Sequence, residues 1–298
     1  MRPPTRRPAA VPALLAVLLA ACSSAPSASP TQSAGPTAGP TATPATGDPT
    51  ALVLREDFAG GFVAATAELT NLPVVSVYAD GTVIVAADAS AADAAIPGLR
   101  AAKLTSAGLR AVVDAAKAAG LGGADARLDG GPAADIPAAR FTLVLDGHPH
   151  VVTASRLGNP TGADAAAVAK LAAFAGTLTV AGLGTDPATI GAWAAYAPAA
   201  LRLLVVSHEA ATGDPAPIAW PLPAALADFG DAVPTGTAGI NPGVGGGVTL
   251  RCGAVTGADL ATLLPALSAA TTASLWSSGG RLYTVVVRPL LPDESGCL

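Results

Sequence analysis

Three turn signals limit what this chain can fold into. Asp80-Gly81 divides "LPVVSVYADGTVIVA", Asp146-Gly147 divides "ARFTLVLDGHPHVVTAS", and Ser278-Gly279-Gly280 divides "ASLWSSGGRLYTVVVRPL". Apolar and polar residues alternate on both sides of each turn, the period of a half-buried strand. Asp-Gly between two such runs predicts a type I′ hairpin, which needs positive φ at both central residues. Much of the chain is thereby committed to antiparallel sheet. Pro149 cannot donate a ladder hydrogen bond, so it belongs to a longer loop or an edge strand.

Helices fall between the hairpins, each announced by a threonine. After Thr105, Leu109, Val112, Val113 and Ala116 form one apolar stripe; after Thr256, so do Leu260, Leu263, Leu264 and Leu267. After Thr161, Val168, Leu171, Ala172 and Ala175 keep that spacing one turn later. A threonine hydroxyl accepts from free N–H groups of the first turn, and Asp164 and Asp259 suit the positive helix end. The recurring T-G-A-D is therefore read as three helix starts, not as a binding motif. Pro265 predicts a kinked or shortened last helix.

The order of strands and helices predicts an α+β fold, antiparallel hairpins with Thr-capped helices packed on one face. Two packed subdomains are expected, 51–183 and 184–298, with "ALRLLVVS" (200–207) as a buried strand of the second. The segments 105–154 and 256–287 also read as a degenerate duplication of helix plus hairpin. Identical strand order in the two would be its mark.

Ahead of this lies "MRPPTRRPAAVPALLAVLLAAC": a basic start, an apolar run of about thirteen residues, and small residues before a cysteine. The run is too short to cross a bilayer core of roughly 30 Å comfortably. Leu19-Ala20-Ala21-Cys22 resembles the lipobox of bacterial lipoproteins. That resemblance implies a signal peptide at 1–21 and a diacylglyceryl thioether on Cys22, anchoring the chain to the outer face of the cytoplasmic membrane. Residues 22–50 continue as a Ser/Thr/Pro/Ala tether with nothing large to bury, able to reach roughly 80–90 Å.

Charge narrows the partners. The formal net charge is −5, and loss of Arg2, Arg6 and Arg7 with the leader takes it to −8. The remaining cations are scattered singly, without the cluster that phosphate-backbone binding needs, so nucleic acid is not an expected partner. The lipid bilayer, through Cys22, is one; an envelope protein, peptide or glycan is the other.

In an exported chain the isolated cysteines Cys252 and Cys297 are read as one disulfide, with a redox or metal pair as the other reading. Candidate chemistry is sparse. His208 stands beside Glu209 and near Asp214, a possible base with an orienting carboxylate, or simply the polar end of a strand. His148 and His150 are read as turn residues, "LDGG" (128–131) as no calcium loop, and "NPGVGGGVTL" (241–250) as a loop. Trp220, flanked by Pro221, either plugs the core or lines a groove for a peptide or glycan. No cofactor and no metal are expected.

The stretches "VSVYADGTVIV", "WPLP", "VTGADL" and "SSGGRLYTVVVRPLLPDE", with terminal Cys297, resemble a group of uncharacterised exported proteins of high-GC Gram-positive bacteria. That resemblance carries no catalytic residues with it. The expected role is a non-catalytic binding or scaffolding lipoprotein of the cell envelope. The alternatives are an envelope hydrolase using His208 with Glu209 or Asp214, and a structural or assembly factor.

Overall fold

A computed structural model describes residues 47–61, 67–87, 93–132, 134–233 and 249–297. The leader, Cys22, the tether as far as residue 46, and the glycine-rich stretch at 241–248 lie outside the described residues. Residues 48–50, expected to be tether, already form a turn. The Ala51 N–H donates to the Asp48 carbonyl, and the Asp80 N–H donates to that of Pro49.

The described chain is α+β, with two mostly antiparallel sheets. The first contains β1 (Leu52–Ala59), β2 (Val75–Tyr78), β3 (Thr82–Ala86), β4 (Leu99–Lys103), β5 (Ala126–Leu128), β6 (Ala138–Leu145), β7 (His148–Ala154) and β8 (Ala194–Ala195). Their spatial order is β5-β7-β6-β1-β2-β3-β4-β8. The second contains β9 (Ala200–His208), β10 (Ile218–Ala219), β11 (Asp231–Ala232), β12 (Leu250–Thr256), β13 (Leu275–Ser278) and β14 (Arg281–Pro289), in the order β10-β13-β14-β9-β12-β11. Two short pairs, β5 with β7 and β10 with β13, are parallel.

The hairpins follow their turn chemistry with one exception. At Asp146-Gly147 and Gly279-Gly280 both central residues have positive φ and the flanking residues pair, as a two-residue I′ turn requires. At Asp80-Gly81 only Gly81 is positive, and its N–H returns to the Tyr78 carbonyl over 2.9 Å. The I′ expectation is corrected there to a three-residue loop with glycine in the left-handed position. Leu104 explains the glycine: its carbonyl oxygen lies 2.5 Å from where a Cβ would stand.

Each sheet buries one face under helix. In the first, α2 (Ser106–Ala118) and α3 (Ala165–Thr177) set Leu109, Val112, Val113, Val168, Leu171 and Phe174 against alternate strand residues such as Val75, Val77, Val83, Phe141 and Leu143. In the second, α5 (Gly257–Ala269) sets Leu260, Leu263 and Leu267 against Leu201, Leu203, Val205, Val285 and Val287. The short helices α1 (Ala67–Thr70) and α4 (Val180–Leu183) complete the described set. Of the predicted stripes only Leu264 turns outward.

Capping divides the three threonines. The Thr105 hydroxyl accepts from the Gly108 N–H at 3.1 Å, as expected. Thr256 is the residue before α5, but its side chain makes no capping bond. Thr161 does not cap at all, because α3 starts after Asp164. Its approach is organised by Asp129, whose carboxylate accepts from the Gly131 N–H at 2.8 Å, while Asp164 accepts from the Asp129 N–H at 2.8 Å. Pro265 neither shortens α5 nor ends it. Pro265 and Ala261, the residue whose carbonyl loses its helical donor, are both exposed, so water can supply the missing bond.

The duplication is not upheld. In the first sheet β6, the first strand of its hairpin, lies inward beside β1; in the second the inner strand is β14, the second of its hairpin. The chain leaves the first sheet after β8 and opens the second with β9. Residues 94–96 tie the halves together: Ala95 donates to the Ala270 carbonyl and is buried in the α5 core. A further cluster joins Tyr78, Ile84 and Leu99 of the first sheet to Leu291 just beyond β14.

Candidate functional site

Four strands set an arginine inside a largely apolar run: Arg55 in β1, Arg140 in β6, Arg202 in β9 and Arg288 in β14. Register decides where they point. Arg55 lies opposite Ser76, and Arg140 opposite Asp57, which places both on the face of the first sheet turned away from α2 and α3. Arg202 and Arg288 lie directly opposite one another on the face of the second sheet turned away from α5. These faces border a cleft of about 660 Å³.

Like charges directly opposite in a sheet repel. The chain's last turn relieves part of that repulsion. Arg288, itself buried, donates to both oxygens of Glu294 at 2.5 and 2.7 Å and to the Asn71 carbonyl at 2.8 Å. Arg55 donates to Asp293 at 2.7 Å and to the Ser76 hydroxyl at 3.0 Å, while the Tyr78 hydroxyl donates to Asp293 at 2.9 Å. Arg140 grips Asp57 with two bonds of 2.8 Å. Arg202 differs. It donates to the carbonyls of Gly296, at 2.8 Å, and Leu69, at 3.2 Å, and no carboxylate among the described residues forms an ion pair with it.

Electrostatics follow the contacts. Burial lowers the pKa of Arg202, and the neighbouring Arg288 lowers it further against the pull of Glu294. Burial would raise the Glu294 carboxyl, but hydrogen bonds from Arg288 and the Leu291 N–H hold it below the ordinary range. Burial and Asp293 push the Tyr78 phenol well up, so it stays a neutral donor. The lining thus sets four guanidiniums against the carboxylates Asp57 and Glu294, with Asp293 behind Arg55 as a third. Phe58, opposite Ala139 in the register, lies on the other face of β1 and is 47% exposed.

The residues singled out in the sequence lie elsewhere. His208, at the end of β9, meets Asp214 at 3.0 Å, whereas Glu209 is exposed and outside that contact. A second recess of about 320 Å³ beside His208 is lined by Ser207, Arg251, Arg281 and Tyr283. The Ser207 hydroxyl accepts from the Thr249 N–H at 3.0 Å. Asp214 also accepts from the Ala211 N–H at 2.7 Å, so it closes its own loop as well as holding the histidine.

Trp220 stands edge-on to Trp276 and Phe229, with centroids 5.7 and 6.2 Å away, and its indole N–H donates to the Ala224 carbonyl at 2.9 Å. Its ring is half-buried on the α5 core. Cys252 and Cys297 form a disulfide, Cα to Cα 5.9 Å, joining β12 to the chain end. His150 meets the Gly123 carbonyl at 2.6 Å, and His148 is exposed. Among the described residues no cluster of His, Cys, Asp and Glu suits a metal ion, and no helix is long and apolar enough to cross a membrane.

Sequence reasoning missed the arginine cleft, although a signal existed: a lone arginine recurs inside four apolar strand runs, "LVLRED", "ARFTLVL", "ALRLLVV" and "TVVVRPLL". A guanidinium in such a run must find partners or face a cavity. No family model, curated protein or solved structure matches the chain.

Proposed function

We propose that the chain is a lipid-anchored binding protein of the cell envelope that holds its ligand in the cleft between the two sheets. The anchor rests on the basic start, the short apolar run, Leu19-Ala20-Ala21-Cys22 and the tether that follows. The observation that carries the binding reading is the cleft itself. Its arginines stand on strands and are held by named partners, so a ligand would meet a preformed surface. Guanidiniums stay protonated and act by orienting charge rather than by shuttling protons, which suits capture over turnover.

Two measurements test this. Mass spectrometry of the membrane fraction should find an acylated Cys22 peptide, and Cys22→Ser should leave that fraction; continued sedimentation with membranes would end the anchor. On intact cells, a photo-crosslinking phenylalanine in place of exposed Asn71, which lines the cleft, should capture envelope material that the same residue at exposed Arg110 on α2 does not. Equal capture at both positions would end the cleft reading.

A second reading, an envelope hydrolase with His208 as base oriented by Asp214, rests on their 3.0 Å contact. Labelling of Ser207 by a fluorophosphonate, abolished in His208→Gln, would favour it over the first.

A further inference from the structure

We infer that the cleft binds an oxyanion, a phosphate or carboxylate group of an envelope ligand, on Arg202. This rests on the cleft being the ligand site and adds what that ligand is. Two observations carry it. Arg55, Arg140 and Arg288 each hold a carboxylate, whereas Arg202 has carbonyl partners only. Carbonyls on Nε and Nη1 fix the guanidinium plane, and Nη2 forms no hydrogen bond among the described residues.

A partly buried cation in this state has no carboxylate paired to it directly, and a fixed donor plane is preorganised for two-point contact with an oxyanion. The second is the charge around the cleft, four guanidiniums against the three carboxylates Asp57, Asp293 and Glu294, within a chain that is acidic overall. That local reversal of sign draws anions to this site and away from the rest of the surface. Burial and Arg288 disfavour the bare Arg202 cation, and a bound anion would relieve both effects.

The test uses the full acylated chain in detergent, with calorimetric titration of phenyl phosphate, benzoate, inorganic phosphate and neutral benzyl alcohol. Phenyl phosphate or benzoate should bind, and benzyl alcohol should not. The stronger of the first two assigns the head group as phosphate or carboxylate. Added salt should weaken binding, as for any site that exchanges counterions. Arg202→Met should reduce affinity by at least about tenfold, the loss expected for one charge-assisted contact. Arg202→Lys, which keeps the charge and can still donate to the carbonyls but lacks the fork, should fall between, and it guards against a Met variant that fails to fold.

Absence of binding by all three anions to the wild-type chain overturns the inference, as does unaltered affinity in a folded Arg202 variant. The two claims fail separately. Capture at position 71 on cells without anion binding in solution removes the oxyanion and keeps the binding protein. Anion binding without capture removes the cellular role and keeps the site.

Discussion

Glu56 combines near-complete burial, at 3% exposure, with a carboxylate oxygen that has no partner among the described residues. Burial raises its pKa to about 7, with the charge of Asp57 adding to the shift. A carboxyl raised in this way holds its proton in the native state at pH values where the unfolded chain has lost it. Stability therefore falls as pH rises from about 4.5 to about 7, by roughly 3 kcal/mol at full effect. Glu294 acts in the opposite sense: its lowered pKa adds stability above the ordinary value, lost as pH falls through the folded one. The two together predict a stability maximum in mildly acidic solution. In Glu56→Gln the decline toward alkaline pH should flatten in urea titrations at several pH values, and an unchanged slope would remove Glu56 as its source. Gly230 makes a sharper case. Its φ is +54°, and an added Cβ would lie 2.1 Å from the Cys252 carbonyl oxygen. Gly230→Ala should cost at least about 2 kcal/mol in denaturant unfolding.

Helix starts show how far a local signal carries. Thr105 and Thr161 look alike in sequence, yet one hydroxyl caps a helix and the other does not. The difference is tertiary: Asp129, on the loop after β5, takes over the organisation of the α3 approach through bonds no window around Thr161 contains. Thr105→Ala should cost about 1 kcal/mol, and Thr161→Ala much less, by denaturant midpoints. Apolar periodicity was the more dependable guide. It picked out the buried faces of α2 and α5, because a stripe is fixed by the whole helix and not by one terminal contact. Turn chemistry did nearly as well. It failed at Asp80, where the close approach of Leu104 favours a three-residue loop.

At the level of the molecule, legibility fades where distant segments meet. His208 and its two candidate carboxylates, Glu209 and Asp214, lie within one short window of sequence, whereas Arg202 donates to the carbonyls of Leu69 and Gly296, far away on either side. Two sheets, each readable alone, create a cleft that neither foretells. The disulfide belongs to this scale too. It closes a separation of 45 residues, worth roughly 4 kcal/mol by chain entropy, so reduction should lower the thermal midpoint by on the order of 10 °C. An unchanged midpoint would show that the bridge holds little.

Glu294, Asp293 and the Gly296 carbonyl all belong to the final stretch of chain, after β14 has ended. Neither sheet draws a strand from these residues, so the arginines belong to the strands and much of their counterweight to the segment that follows. A product cut short after Pro289 would keep every strand and lose the partners that quiet three of its four guanidiniums.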